Sequence, residues 1–443
     1  MDRKPLRIAF AAYRGNMQCG GQGIYLWFLA RELAALGHRI DVYCGPPYPD
    51  PMPFAEELHE LPNEQLWGKW FARDWSAFFP REDPFRVLSP LHFYELGASY
   101  LGFLPEPFAF SARAFRALTR RVRAGRRYDL VHDVQCLGWG MLGVRALGVP
   151  VVTTIHHPLT VDRRASFVRD RDVREAVGTM AFHPVGMQAF VARRLDRVLT
   201  SSESSAATIA RDFGVPRARI RNVWNGLDTD LFRPDPGIER SDTELLCIGR
   251  ATDPTKGVGI LLEALARLPE RVRLTLVDDA SPGNPARGWA RKLGCADRVV
   301  LTGRIPNDEL VRLYNRAAVV VVPSRFEGFG LPAVEAMACG APVVASAAGA
   351  LREVVRAGGG GVLVPAADPE ALVRALNALL DAPEERRSLG ARGRERVVER
   401  FSWPRIARAT VDAYGEVLDA RGRPARSTTS AWRGSRRAHA PSA

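Results

Sequence analysis

The chain has 443 residues, 46% of them hydrophobic and 25% charged, a composition typical of a globular protein long enough for two or three domains. It has no apolar run of about twenty residues, and its first apolar strand is too short and too early for a signal peptide. The six cysteines lack metal-binding spacing, so we expect reduced thiols in a cytoplasmic protein.

The net charge of +13 is concentrated in two stretches. Seven arginines lie between Arg113 and Arg127 and six between 421 and 443, and neither stretch contains an acidic residue. No nucleic-acid recognition motif accompanies this charge, so a nucleic-acid partner is not expected. The Ser-, Ala- and Pro-rich stretch 421–443 is predicted to be a disordered basic tail.

The first half of the chain alternates predicted strands and helices. A strand at 6–12 precedes a helix from Gly23 to about Leu36, and Ser202 is expected to cap a helix that ends at Phe213. Further strands are predicted at 39–43, 129–134, 149–155 and 197–200. Strands separated by helices predict a parallel, doubly wound sheet.

The alternation stops between about 46 and 116, a proline-rich stretch with many aromatic residues. Its aromatic positions between Leu66 and Phe79 approximate helical spacing. One interpretation is an insertion that packs its aromatic side chains over the first domain. The other is an acceptor pocket or an interfacial patch that works with Arg113–Arg127 at an anionic membrane surface.

A polar linker at 235–243 separates this half from a second alternating series. Strands are predicted at 245–248, 272–277, 298–301, 318–322 and 342–345, and helices at 257–267, 307–316, 332–339 and onward to about 400. The sequence therefore predicts an N-terminal domain over 1–234, a C-terminal domain over 244–403 and a last helix over about 404–420. Two doubly wound sheets facing each other would share a ligand-binding crevice at their carboxyl ends.

The most informative motif runs from Pro323 to Gly340, after a continuous β-branched run. Gly328 and Gly330 allow a tight turn and close approach to a ligand, and Pro332 suits the first helical position. The unpaired N–H groups of Phe329, Gly330 and Leu331 would then form an anion site. Glu327 and Glu335 border the same pocket. Carboxylates beside a phosphate site are understandable if they accept hydrogen bonds from sugar hydroxyls, as in a nucleotide-sugar.

Other candidate residues follow strand ends. Arg250 and Lys256 would neutralise a diphosphate leaving group, since fixed cations stabilise developing negative charge. The segment Gly20-Gly21-Gln22-Gly23 opens a helix, so its backbone can approach a phosphate. His156 and His157 follow the strand at 149–155. Asp228-Thr229-Asp230 is interpreted as a helix cap rather than a metal motif, and no metal site is expected.

Taken in their order along the chain, these motifs resemble those of the group 1 (family 4) retaining glycosyltransferases, which have the two-domain GT-B fold. Further matching segments are Asn225-Gly226-Leu227-Asp228, Leu301-Thr302-Gly303-Arg304 and Phe401-Ser402-Trp403, and the resemblance covers about 6–420. It implies that Glu335 binds ribose hydroxyls, Glu327 a hydroxyl of the donor sugar, and Arg250 and Lys256 the diphosphate. It also implies that Gly303 and Arg304 meet the base.

The resemblance further implies that the glycine segment at 20–23 closes over the donor diphosphate. His156 would face the reacting sugar, although His157 is an alternative because the family more commonly has one histidine here. In Leu351-Arg352-Glu353 the family commonly has proline before the glutamate, a departure expected to affect only a turn. The final helix is expected to return to the first domain, which serves the acceptor.

The sequence thus predicts a metal-independent, retaining glycosyltransferase that uses a UDP- or GDP-sugar, needs no cofactor and acts on an unidentified acceptor. Two alternatives stay open. A non-catalytic protein of the same fold would bind sugar nucleotide or membrane without turnover. A nicotinamide oxidoreductase is disfavoured, because Leu26 replaces the third glycine of the dinucleotide motif and Asp41 lies inside a strand.

Overall fold

A computed structural model describes residues 4–17, 21–63, 89–101, 103–156, 160 and 184–422. Its strands are β1 Arg7–Ala12, β2 Arg39–Cys44, β3 Glu57–Glu60, β4 Leu130–Val134, β5 Val151–Thr154, β6 Arg197–Thr200, β7 Ile220–Asn222, β8 Glu244–Ile248, β9 Arg273–Val277, β10 Val299–Leu301, β11 Val319–Val322, β12 Val343–Ser346 and β13 Gly361–Val364. Its α-helices are α1 Gly21–Ala35, α2 Pro90–Tyr100, α3 Glu106–Arg123, α4 Gly140–Ala146, α5 Val185–Ala192, α6 Glu203–Phe213, α7 Val258–Arg267, α8 Pro285–Lys292, α9 Asn307–Arg316, α10 Leu331–Ala338, α11 Leu351–Gly358, α12 Pro369–Leu380, α13 Pro383–Phe401 and α14 Trp403–Ala420.

The strands form two parallel sheets. The described part of the first sheet has the order β3-β2-β1-β4-β5-β6-β7, and that of the second β10-β9-β8-β11-β12-β13. Apolar side chains pack on both faces of each sheet, which explains why the strands are short, continuous apolar runs. The predicted α/β class with two doubly wound sheets is confirmed.

Strand order reverses in each sheet at one point, between β1 and β4 in the first and between β8 and β11 in the second. Crossover helices leave opposite faces of the sheet at such a point, so the loops after these strands border an open crevice. The loops after β8 and β11 carry most of the candidate donor residues. Val320 lies opposite Leu246 in the paired strands, which brings these two loops together.

Three described strands, β3, β7 and β13, are absent from the sequence-based prediction. Strand β7 has only three residues, of which the middle one is an exposed arginine, so it forms no apolar run. The edge strand β3 is short, and charged or half-exposed residues interrupt any apolar run in it. Strand β13 begins within the glycine run at 358–361, a composition that indicates a loop. The close approach of the Gly361 backbone to Val343 explains the last of these glycines, because a Cβ there would lie 2.7 Å from the Val343 carbonyl oxygen.

The last helix, α14, packs on the first sheet rather than on the second. Trp403, Ile406 and Tyr414 share an apolar cluster with residues of β1 and α1. The approach is close, since a Cβ on Gly226 would lie 2.2 Å from the Trp403 ring. The carboxyl-terminal helix therefore ties the two sheets together.

Three of the seven arginines between Arg113 and Arg127 form ion pairs within the fold. Arg113 forms a two-point ion pair with Glu95, at 2.5 and 2.6 Å, and Arg121 pairs with Glu57. Arg126 pairs with buried Asp41 at 2.5 Å. These three side chains stabilise packing around α3 and are not available to an external partner. Positions 66–79, which carry the aromatic spacing, and the tail from 423 lie outside the described residues.

None of the helices in the described ranges is both long enough and apolar enough to cross a bilayer.

Candidate active site

The turn between β11 and α10 has the backbone geometry that its glycines predict. Gly330 has φ 97°, and a Cβ there would lie 2.5 Å from the Leu351 side chain. Helix α10 begins at Leu331, so Pro332 occupies its second position rather than the first predicted for it. Within the described residues, the N–H groups of Phe329, Gly330 and Leu331 donate to no protein acceptor. They remain available to an anion.

Lys256 and Glu327 form an ion pair in this turn. The Lys256 ammonium lies 2.7 Å from Glu327 Oε1, and the buried Ser324 hydroxyl donates to the same oxygen at 2.9 Å. Lys256 therefore neutralises the Glu327 carboxylate. This removes the repulsion expected between that carboxylate and a phosphate bound beside it. An ammonium carries three N–H donors, so this one can also contact an anion.

Close backbone packing brings the loops of Lys256 and Glu327 together. The Arg325 N–H donates to the Thr255 carbonyl at 2.7 Å. Gly257 has φ 67°, and a Cβ there would lie 2.1 Å from the Pro323 carbonyl oxygen. Any side chain at position 257 would separate the two loops, which explains a Lys-Gly pair at this turn.

The backbone of Glu327 is held from the other side by the loop after β12. The Ala350 N–H donates to the Glu327 carbonyl at 3.0 Å. Gly349 has φ 52°, and a Cβ there would lie 2.5 Å from the same oxygen. Glu327 is thus fixed through its main chain as well as through its side chain.

Glu335 lies one turn into α10 and has a perturbed pKa. Burial raises the pKa of Glu335 to about 7, while a hydrogen bond from Tyr314 opposes this shift. The Tyr314 hydroxyl donates to Glu335 Oε2 at 2.7 Å from helix α9. With one oxygen held, the other is oriented for a ligand, and a carboxylate accepting hydroxyl protons is suited to a ribose.

Arg250 and the loop of Gly303 and Arg304 are organised by Asp278. The Asp278 carboxylate accepts from the Ala251 N–H at 2.7 Å, and its carbonyl oxygen accepts from the Gly303 N–H at 3.0 Å. Asp278 is buried. The Arg250 and Arg304 side chains are exposed.

On the first sheet, His156 follows β5 and faces the ring of Tyr25. The two ring centroids are 4.8 Å apart in an edge-to-face arrangement. The His156 N–H donates to Gln135 Oε1 at 2.8 Å. Gln135 follows β4 and has φ 54°, a strained value for a residue that is not glycine. The alternative histidine, His157, lies outside the described residues.

A buried polar chain supports Tyr25 from behind. The hydroxyls of Tyr25 and Thr154 are 3.0 Å apart, and His132 Nε2 lies 2.7 Å from Thr154 Oγ1. His132 Nδ1 lies 2.5 Å from the Tyr414 hydroxyl of α14. Burial lowers the pKa of His132 to about 3, so its ring stays neutral and can donate one hydrogen bond and accept another.

Serine hydroxyls join the two halves of the crevice at the Gly328 carbonyl. Ser201, Ser202 and Ser205 lie within 3.2, 3.1 and 3.3 Å of this oxygen. Ser205 Oγ also lies 3.4 Å from the His156 carbonyl oxygen. The residue next to Glu327 is therefore anchored beside His156, although the two belong to different sheets.

A second contact across the crevice involves Glu353 of α11. Its carboxylate accepts the N–H of Glu203 and of Ser204, both at 2.8 Å, at the amino end of α6. A carboxylate in this position satisfies unpaired N–H groups and interacts favourably with the helix dipole. The sequence analysis gives Glu353 itself no role, and the structure shows that it caps a helix of the opposite sheet.

The remaining predicted residues are placed as follows. Gly21 begins α1 with open space where a Cβ would lie, and Gly23 is packed so that a Cβ would lie 2.1 Å from the Asn16 carbonyl oxygen. Gly20 lies outside the described residues. The Asp228 carboxylate accepts from the N–H groups of Asp230 and Leu231, so it caps a turn and not the predicted helix. The described residues contain no cluster of three or more His, Cys, Asp or Glu able to hold a metal ion.

Several site residues escaped the sequence analysis. Tyr314, Asp278 and Glu353 act through contacts between segments far apart in the chain, so no local pattern marks them. The serine-rich run at 201–205 was a readable signal, because four hydroxyls after a strand exceed the need of one helix cap. Only Ser202 was assigned from it.

The chain is similar to known proteins over most of its length. The family model "Glycosyltransferase Family 4" matches residues 19–231, and the model "Glycosyl transferases group 1" matches residues 228–396. The MMP alpha-(1->4)-mannosyltransferase of Mycolicibacterium hassiacum is 41% identical over 424 residues, covering 93% of this chain and 98% of that protein. The D-inositol 3-phosphate glycosyltransferase of Xylanimonas cellulosilytica is 31% identical over 439 residues, covering 93% and 95%.

Among solved structures, the sucrose-phosphate synthase of Thermosynechococcus elongatus has a similar fold. It superimposes with a TM-score of 0.64 at 27% sequence identity, covering 94% of this chain and all of that one.

Proposed function

The chain belongs to the group 1 and family 4 glycosyltransferases of GT-B fold, and we propose that it is a retaining enzyme that moves a sugar from a nucleotide-diphospho-sugar to an acceptor hydroxyl. The observation that carries the proposal is the Lys256–Glu327 ion pair at 2.7 Å. It puts a cation for the diphosphate beside a carboxylate for the sugar, at the bond to be broken.

The proposed donor contacts extend along the carboxyl edge of the second sheet. Arg250 and Lys256 bind the diphosphate together with the free N–H groups at the start of α10. Glu335 accepts the ribose hydroxyls, and the loop of Gly303 and Arg304 meets the base. Gly21 and Gly23 close over the diphosphate from the first sheet.

In the proposed reaction, the bond between the anomeric carbon and the diphosphate oxygen breaks. The acceptor oxygen bonds to the same face of that carbon, and its proton passes to the departing phosphate oxygen. Arg250 and Lys256 stabilise the charge on the leaving group, and Glu327 and His156 stabilise the positive charge on the sugar. Because these two cations serve the leaving group, the proposal needs no metal ion and no other cofactor.

A mannosyl donor is the first candidate. The relative named an MMP alpha-(1->4)-mannosyltransferase is 41% identical to this chain over nearly its whole length. The relative named a D-inositol 3-phosphate glycosyltransferase is 31% identical. We therefore favour mannose as the transferred sugar. An inositol phosphate is one acceptor class to test.

The test has two steps. Thermal unfolding is first measured with UDP, GDP and ADP, and one nucleotide should raise the melting temperature selectively. The purified protein is then incubated with sugar donors of that nucleotide and an acceptor panel, and release of nucleotide diphosphate is measured. Stabilisation by none of the nucleotides would contradict the proposal.

The non-catalytic alternative predicts another result in the second step. Such a protein would be stabilised by a donor but would release no nucleotide diphosphate with any acceptor. The ordered contacts around Lys256 and Glu327 favour an enzyme. Peripheral contact with an anionic membrane stays a prediction, now restricted to the arginines near α3 that form no ion pair within the described part of the chain.

A further inference from the structure

A second cavity, of about 890 Å³, lies on the first sheet away from the candidate donor site. It opens between the carboxyl ends of α4 and α5 and the short helical turn Arg217–Arg219. Its lining comprises the apolar residues Leu142, Ala146 and Phe190 and the basic residues Arg145, Arg193, Arg194 and Arg219. Among the residues that the structure describes, no acidic side chain lines it. This size is in the range of small-ligand pockets.

The topology separates this cavity, which we call the arginine pocket, from the donor crevice. Helices α4 and α5 end before β5 and β6, and the turn at 217–219 ends before β7. These three strands are neighbours in the first sheet. The arginine pocket therefore lies at the amino edge of the sheet, whereas donor contacts come from carboxyl edges.

Charge in the arginine pocket is not balanced within the described residues. Arg145 lies 3.3 Å from Asp196, but that carboxylate also pairs with Arg421 at 2.6 Å. Arg193, Arg194 and Arg219 have no carboxylate partner in the described part of the chain. Like charges held close together repel, and a bound anion would remove this cost.

Two of these guanidinium groups are held in place by neutral partners. Arg194 lies over the Phe190 ring, 3.4 Å from its centroid, and donates to the Phe190 carbonyl at 3.1 Å. Arg219 donates to the Arg193 carbonyl at 2.9 Å. Such contacts with carbonyls at a helix end are favourable in themselves. They use a fraction of the five N–H donors on each guanidinium and leave the others for a ligand.

We propose that the arginine pocket binds a phosphate group carried by a small ligand with an apolar part. Guanidinium groups match phosphate oxygens with paired hydrogen bonds, and Leu142, Ala146 and Phe190 would contact the apolar part. The phosphate can come from a soluble phosphorylated compound or from a lipid headgroup. The proposal does not depend on the donor site.

The soluble source is tested by calorimetric titration with inorganic tripolyphosphate. Wild-type protein should bind at two sites. Arg193→Gln should weaken one of them about tenfold, and Arg250→Gln should weaken the other. Arg193 suits this test because its side chain forms no hydrogen bond or ion pair with the described residues, so the substitution removes none. Arg271→Gln is the matched control, since Arg271 is exposed on the second sheet, 3.6 Å from Asp381.

The lipid source is tested by flotation with phosphatidylglycerol vesicles, compared with phosphatidylcholine vesicles. Dependence on Arg193 and Arg194 in either assay supports the proposal and identifies the source. If Arg193→Gln and the double variant Arg193→Gln/Arg194→Gln bind tripolyphosphate and anionic vesicles within twofold of wild type, the proposal is overturned.

Discussion

At the scale of single residues, the Lys256–Glu327 pair has two consequences. It satisfies the charge of Glu327 before any ligand binds, and it holds the lysine at the edge of the site. Removing either partner leaves the other charge unpaired in a partly buried position, which is costly. The sequence motifs predicted both residues, but their direct contact joins loops about seventy positions apart and no spacing reveals it.

Lys256→Ala and Glu327→Gln should each reduce the transfer rate by about a hundredfold or more, because in the proposed reaction each removes a charge that stabilises the transition state. Initial rates with the donor found by the screen measure this effect. Lys292→Ala, an exposed lysine in the last turn of α8, is the matched control. Turnover near wild type in both site variants, with the control also unchanged, would refute the roles given to them.

In the proposed site, Glu335 should make donor binding dependent on pH. Its ionised form would accept the ribose hydroxyls, and burial raises the pKa of Glu335 to about 7. Donor affinity should therefore increase as the pH rises through about 7. Tyr314→Phe removes a hydrogen bond that lowers this pKa, so the increase should move to higher pH. The KM of the donor measured against pH tests this, and identical profiles would contradict it.

The same shift affects stability in the opposite direction. An unfolded glutamate has a pKa of about 4.3, so between that value and about 7 the folded state binds more protons. The free energy of unfolding should thus fall as the pH rises through this window. Glu335→Gln should flatten that slope while it weakens donor binding, and denaturant titrations at several pH values measure it.

At the scale of elements, α6 is stabilised by a residue of the other sheet. Predicting its start at Ser202 was possible because a serine after a strand is a typical cap, and Ser202 accepts from the Ser205 N–H. Glu353 was not predictable as a second cap, because the two elements are about 150 positions apart. The local pattern thus predicts where a helix begins, whereas contacts between distant segments determine which other residues stabilise that end.

Glu353→Gln should lower both stability and activity. Loss of a charged partner at a helix amino end costs about 1 kcal/mol, and the crevice loses one of its connections. We expect a severalfold fall in kcat. Asp368→Asn is the matched control, since Asp368 caps α12 within its own sheet by accepting the Ala371 N–H at 2.9 Å. An equal fall in kcat in the control would show that general destabilisation is responsible.

At the scale of the whole molecule, the order of strands and helices was readable because buried parallel strands are short, continuous apolar runs. The crevice position followed from that order. The acceptor side was not readable, because the stretch at about 46–116 interrupts the alternation of strands and helices and contains no motif that specifies a ligand. The return of α14 was known only from resemblance, and its chemical link to the site was not foreseen.

That link joins the last helix to the candidate histidine. Tyr414 contacts His132, which contacts Thr154, whose hydroxyl contacts the Tyr25 that packs on His156. Tyr414→Phe leaves a buried imidazole nitrogen without its partner, which should cost about 1–3 kcal/mol of unfolding free energy. Denaturant titration measures this cost.

The activity of Tyr414→Phe should fall as well, because Tyr414 of α14 ends the chain of contacts that supports the packing of Tyr25 on His156. We expect a severalfold lower kcat with little change in the KM for the donor, since most of the proposed donor contacts lie on the other sheet. Tyr94→Phe is the control, because the Tyr94 hydroxyl donates to no acceptor within the described residues and its ring packs on Phe108. A stability loss without any change in kcat would mean that α14 only packs, and that the buried chain does not reach the reaction.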